Sequence, residues 1–210
     1  MTCVPDGLVL AGGSGRRLGR PKAGVVLEGT TLVECAVAML AERCDDVVVV
    51  SRPDIPLPAL GVPVVLDDPG PSGAMTGLVT GLGTLTAADV LVLACDLPLA
   101  APLLDRLIEV PGHATAVASD GTRLQPLCAR YPRSRALEAG RRLMAGGVLR
   151  MTELAAALDA VTVPATGHEL LNVNHSGDLA QAARLWASPR RKQTFPEPEL
   201  SRPRTEIRAT

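Results

Sequence analysis

Aromatic residues are almost missing from this chain: Tyr131, Trp186 and Phe195 are the three in 210 residues. Stacking platforms of the kind that hold single-stranded nucleic acid are therefore scarce, and a core has to be built from Leu, Val and Ala. Strong charge is missing too. The net charge is −1, which argues against a general nucleic-acid binder. No apolar run reaches the length of a membrane span, and Met1 to Gly7 lacks the basic start of a signal peptide. The five cysteines, Cys3, Cys35, Cys44, Cys95 and Cys128, form no C-x-x-C pair. An odd, unpatterned set reads as reduced thiols in a cytoplasm, not as a disulfide framework or a zinc site. No internal repeat is visible.

What the chain does have is apolar bulk and one unusual loop. A length of 210 residues at 47% hydrophobic suits a single domain with a sizeable core. The short apolar strand Leu8-Val9-Leu10-Ala11 runs straight into Gly12-Gly13-Ser14-Gly15-Arg16-Arg17-Leu18-Gly19-Arg20-Pro21-Lys22. Gly12, Gly13 and Gly15 carry no bulk, so a polyphosphate can approach the backbone and its N–H groups. Arg16, Arg17, Arg20 and Lys22 supply positive charge. Two other phosphate loops are excluded. A Walker A motif ends Gly-Lys-Ser/Thr, whereas Gly19 is followed by Arg20 and Pro21. A dinucleotide fingerprint needs a third glycine where Leu18 stands. The remaining alternatives are a nucleoside triphosphate loop and a flexible basic turn.

Further along, Thr31 and Glu34 form a capping-box pair ahead of Leu32, Cys35, Ala36, Met39 and Leu40 at helical spacing. Val47 to Val50 is a buried strand, and Val62 to Leu66 a third, ending at Asp67-Asp68. Glycine and proline crowd residues 67–83 before Met75, Leu78, Val79 and Leu82 take up helical spacing. That density fits either a plain strand-to-helix connection or a loop packed against a ligand. Asp89 to Ala94 is a fourth strand, ending Cys95-Asp96-Leu97-Pro98. A carboxylate at the carboxyl end of a buried strand stands where open α/β sheets bind ligands, so Asp96 is the best candidate in the chain for a metal ligand such as magnesium. It could also be the N-cap of the helix that begins near Ala101-Pro102.

Helix Pro102 to Val110 is followed by a hairpin, Ala114 to Ala118 and Leu124 to Tyr131, with a turn at Ser119-Asp120-Gly121. Helix Arg133 to Leu143 is rich in arginine. Arg141, Arg142 and Arg150 read as a solvated face, with anionic acceptor binding as the alternative. Past helix Met151 to Leu158 and strand Ala160 to Pro164 comes Leu171-Asn172-Val173-Asn174, whose asparagines alternate and so share one face. They suggest a site, although Asn174 could equally cap the helix Gly177 to Trp186. His175 is not expected to be catalytic. Ser188 to Thr210 carries six basic residues, three glutamates and four prolines, and is expected to be a disordered tail beyond a domain at 1–187.

The expected fold is therefore a three-layer α/β/α, Rossmann-like domain with a mostly parallel mixed sheet. The expected chemistry is nucleotidyl transfer. The loop from Gly12 to Gly15 holds a triphosphate, Lys22 with Arg16 or Arg17 neutralises it, and magnesium on Asp96 stabilises the leaving pyrophosphate. An acceptor phosphate is already ionised, so no covalent nucleophile is required.

Leu10-Ala11-Gly12-Gly13, Arg17, Gly19 and Lys22, the Cys95-Asp96-Leu97-Pro98 block and the Asn-x-Asn ending together resemble the molybdenum cofactor guanylyltransferases. The resemblance spans Gly7 to about Leu185. It implies GTP and Mo-molybdopterin as substrates, Mg²⁺ as the metal, and molybdenum cofactor biosynthesis proteins or apo-molybdoenzymes as partners. It also implies that Leu10, Ala11 and Gly12 meet the nucleotide through backbone and that Ser51 and Asp67 help bind it. Asp96 holds magnesium, and Asn172 or Asn174 serves metal or pyrophosphate. Gln125, before Pro126, falls in the acceptor-side hairpin. The chain departs from the family pattern at Ser51, where asparagine is sometimes found, at Ser72-Gly73-Ala74, and at His175-Ser176-Gly177 in place of Thr-Pro. The alternatives are a cytidylyl- or sugar-phosphate nucleotidyltransferase and a non-catalytic nucleotide-binding protein.

Overall fold

The structure is a computed structural model that describes residues 4–67 and 73–186, the Arg16 side chain excepted. The proposed tail at 188–210 lies outside the described residues.

Three apolar runs make the centre of the sheet. Strand β1 (Asp6–Leu10) enters the glycine loop. A two-residue strand β2 (Val26–Leu27) and its antiparallel partner β3 (Thr30–Thr31) follow the loop, then helix α1 (Leu32–Ala41) and strand β4 (Val47–Ser51). Every residue of β1 and β4 is buried, as expected of strands covered on both faces. Thr31 caps α1 as its sequence indicates: its hydroxyl accepts from the Glu34 N–H, and the Glu34 carboxylate accepts from the Thr31 N–H.

Strand β5 (Val64–Leu66) is shorter than the apolar run that contains it, because Pro63 has no N–H to give the ladder. Helix α2 (Ala74–Thr84), strand β6 (Asp89–Ala94) and helix α3 (Ala101–Glu109) come next. The hairpin β7 (Ala116–Ser119) and β8 (Leu124–Pro132) leads to helix α4 (Arg133–Ala145), helix α5 (Met151–Ala157), strand β9 (Val161–Pro164) and helix α6 (Ser176–Trp186).

Seven of these strands pair in the order β5-β4-β1-β6-β8-β7-β9. From β5 to β6 the neighbours are parallel. β8 runs antiparallel to both β6 and β7, and β9 is parallel to β7. After β1 the chain builds outward through β4 and β5, then returns to place β6 on the other side of β1. The order reverses there, and a crevice opens at the carboxyl ends of β1 and β6.

Helices α1 and α3 cover one face over a core that includes Val33, Leu40, Leu91, Leu104 and Leu107. Helices α2, α4 and α5 cover the other, over Leu8, Met75, Leu82, Tyr131 and Leu154. The glycines of α2 bring it close to the sheet. A Cβ at Gly81 would lie 2.3 Å from Leu8 Cδ1, and one at Gly140 of α4 would lie 2.7 Å from Val79 Cγ2. A third, smaller apolar cluster joins Val25, Leu27 and Leu32 to Val173 and Ala182. It clamps the β2–β3 hairpin to the segment that leads into α6.

Candidate active site

The glycine loop leaves β1 at the switch point. Gly15 and Gly19 are left-handed, with φ of 58° and 68°, and between them Arg16–Leu18 makes one tight turn. A Cβ on Gly15 would fall 1.9 Å from the Arg20 carbonyl oxygen, so only glycine fits. The turn brings the chain back on itself: the Lys22 N–H donates to the Gly13 carbonyl, and the Lys22 side chain passes over Gly13.

Lys22 reaches across the crevice. Its ammonium lies 2.6 Å from Asp96 Oδ2 and 2.5 Å from Asn174 Oδ1. Asp96 follows β6 by two residues and keeps only 14% of its side chain exposed; Lys22 keeps 17%. Asn172 completes the set. In the amide orientation its hydrogen bonding requires, Nδ2 donates to Asp96 Oδ2 and Oδ1, at 2.6 and 3.2 Å, and Oδ1 accepts from Gln125 Nε2 at 3.0 Å. The two asparagines do share one face, while Val173 between them is fully buried in the third cluster and its N–H donates to the Asp96 carbonyl. Thus the loop after β1, the end of β6, the start of β8 and the arm before α6 meet at Lys22 and Asp96.

These contacts decide between the alternatives the sequence leaves open. Asp96 is not a helix cap: α3 starts after Ala100 with no side-chain cap and with Pro102 in its first turn. Asn174 turns its side chain to Lys22, and Asp178 accepts from the N–H groups of Asn174 and His175 at the start of α6.

A cavity of about 380 Å³ opens beside this cluster. Leu10, Gly12, Gly13 and Lys22 line it on the loop side, Ser51 and Asp67 at the ends of β4 and β5, and Asp96, Gln125 and Asn172 opposite. Ser51 is buried and its hydroxyl has no hydrogen-bond partner among the described residues. Asp67 accepts a hydrogen bond from the Thr80 hydroxyl.

Other expected site residues lie elsewhere. Ala11 is fully buried in the core, its N–H donates to the Val50 carbonyl, and it does not line the cavity. Gly15 is buried and shapes the loop without lining the cavity. Arg17 and Arg20 are exposed and off the cavity wall, because the two left-handed glycines turn Lys22 inward instead. Arg141, Arg142 and Arg150 are exposed on α4 and the segment after it, away from the cavity.

Sequence reasoning passed over Ser14, Arg52, Gly73, Ala74, Gly77 and Cys95, all of which line the cavity. The crowding of glycine in 67–83 was the available signal for Gly73 and Gly77. Cys95 is no nucleophile: burial first, and then the neighbouring Asp96, push its thiol well above the ordinary range.

A mostly parallel α/β sheet whose switch point carries a glycine loop, a lysine and a paired carboxylate is the framework of a nucleotidyltransferase. Comparison with known proteins makes the class specific. The MobA-like NTP transferase domain matches residues 7–166, and the chain belongs to that family. Asn172 and Asn174 lie just past the matched stretch. A probable molybdenum cofactor guanylyltransferase of Chloroflexus aggregans is 34% identical over 190 residues, 83% of this chain and 91% of its own. One from Mycobacterium avium is 36% identical over 196 residues, 86% of this chain and 96% of its own. Among solved structures, the molybdopterin-guanine dinucleotide biosynthesis protein A of Archaeoglobus fulgidus superposes with a TM-score of 0.69 at 23% identity. The match covers 86% of this chain and 97% of the other, a likeness of fold.

Proposed function

We propose that this nucleotidyltransferase moves GMP from GTP to the phosphate of Mo-molybdopterin, giving the guanine dinucleotide cofactor and pyrophosphate. The observation that carries the reading is the Lys22 ammonium held between Asp96 and Asn174 at the edge of the glycine-lined cavity. Relatives above 30% identity that bear the guanylyltransferase name along most of their length supply the substrate pair.

The residues fit a divalent cation. Asp96 Oδ2 and Asn174 Oδ1 are hard oxygens that converge on one positively charged atom, Lys22 Nζ. Among the described residues no cluster of three acidic, His or Cys side chains could hold a metal alone. A magnesium ion on Asp96 and Asn174 would therefore share phosphate oxygens and water, and it would offset charge on the leaving pyrophosphate.

The chain's own groups do the rest. Gly12 and Gly13 leave room for the triphosphate to lie against the backbone. Lys22 supplies a compact charge beside it. An oxygen of the acceptor phosphate attacks the α-phosphorus in line, the bond to the β-phosphate bridging oxygen breaks, and pyrophosphate leaves with that electron pair. Asn172 holds Asp96 from one side while bonding to Gln125 on the acceptor-side hairpin, which keeps the two halves of the crevice in register. The free thiols of Cys35, Cys44, Cys95 and Cys128 suit the cytoplasm, where we place this reaction.

The test is to supply the purified chain with magnesium, Mo-molybdopterin and either GTP or CTP. The expected result is a guanine dinucleotide product by mass spectrometry with matching pyrophosphate release. A cytosine product made in preference would move the substrate within the fold, and no product from either nucleotide would remove the proposal.

A further inference from the structure

One end of the cavity holds the Lys22–Asp96 ion pair, and the other, over β4 and β5, holds Ser51, Asp67 and Arg52. With the triphosphate beside Lys22, the base lies at the second end. A flat base is usually held by stacking, yet among the described residues no aromatic side chain lines the cavity.

Arg52 is built to replace an aromatic ring. A Cβ at Gly12 would come within 3.6 Å of Arg52 Cγ and 3.8 Å of Cδ, so the arginine stem lies over the glycine loop. Asp54 grips its guanidinium with two bonds, Nε to Oδ1 at 2.9 Å and Nη2 to Oδ2 at 2.7 Å. A two-pronged pair of this kind sets the plane of the group, while 38% of the Arg52 side chain and 62% of the Asp54 side chain stay exposed to water. A fixed planar guanidinium at a cavity wall is a good surface for a base, because arginine planes stack on π-systems.

We propose that Arg52, held flat by Asp54, is the platform on which the nucleobase stacks. The inference rests on the nucleotide-binding reading of the cavity. Stacking is tolerant of base identity, so Arg52 contributes affinity, and the choice of guanine falls to polar groups at the same end.

Calorimetric titration of the full chain with GTP and with inorganic tripolyphosphate, both with magnesium, separates base from phosphate. Arg52→Ala is expected to weaken GTP about 5- to 100-fold and to leave tripolyphosphate unchanged. Arg52→Lys keeps the charge and removes the plane, and is expected to behave like the alanine variant. Equal loss for both ligands, no loss for GTP, or full rescue by lysine would each overturn the platform while leaving the nucleotide site standing. Failure of the unaltered chain to bind GTP would overturn both together.

Discussion

Lys22 and Asp96 form a 2.6 Å ion pair across the crevice, 74 residues apart in sequence. Each is also held by an asparagine of the arm before α6: Lys22 by Asn174 and Asp96 by Asn172. Four side chains from three segments thus fix one another before any ligand arrives, which is the preorganisation that electrostatic catalysis needs.

Asp96→Ala is expected to abolish magnesium-dependent turnover while the far-UV circular dichroism spectrum stays that of the folded chain. Lys22→Met should lower kcat by about 10²- to 10³-fold, the usual effect of losing one charged stabilising group. Pyrophosphate release measures both. Full activity in the Asp96 variant would sink its assignment to the metal.

Two glycines of the loop should behave differently. At Gly15 a Cβ collides with the Arg20 carbonyl, so Gly15→Ala has to rebuild the turn that directs Lys22, and nucleotide binding should be lost. At Gly19 the φ is also positive but the space is open. Gly19→Ala should cost only about 1–2 kcal/mol of backbone strain. Nucleotide titration and thermal melts distinguish the two.

The same contrast holds in α2, where the readout is stability. Gly81→Ala drives a methyl group into Leu8 and should destabilise the fold by about 1–3 kcal/mol. A Cβ at Gly83, in the same helix, would meet nothing within 4 Å among the described residues. Gly83→Ala should stabilise by about 0.5–1 kcal/mol through helix propensity. Urea unfolding reads both.

Acid should loosen the arm that carries Asn172 and Asn174. Glu169, three residues before Asn172, accepts from Arg106 and from the Thr166 N–H and hydroxyl. Burial opposes its charge, but the Arg106 and Thr166 bonds outweigh burial and hold its carboxyl below the ordinary value of 4.5. A depressed acid stabilises the fold fully above that ordinary value and loses the contribution as pH falls through its own, lower value. Stability of the unaltered chain should therefore fall in that acid window. Glu169→Gln should be less stable at neutral pH by about 1.5–3 kcal/mol and flatter below pH 4.5. Chemical unfolding across pH 3 to 7 checks it, and parallel curves for the two proteins would refute it.

Much of this was legible in residues alone. Glycines after a buried strand, a carboxylate after another and asparagines at alternate positions each have a physical reason to face a ligand, and Lys22, Asp96, Asn172 and Asn174 do meet. The β2–β3 hairpin was hidden because its turn is Glu28-Gly29, with Glu28 at φ 47°, where asparagine or aspartate is the usual signal. Arg17 and Lys22 look alike as cations in a basic loop; only the left-handed turns at Gly15 and Gly19 separate them. Arg52 gave no signal, since only the folded chain brings its stem beside Gly12.

Asn174 stands 152 residues after the lysine it holds. During synthesis the glycine loop, the strands around β1 and even Asp96 leave the ribosome well before that asparagine does. Asn172, which lines the cavity, emerges just ahead of it. Translation itself therefore completes both the cavity wall and the grip on Lys22 only as the far end of the domain emerges.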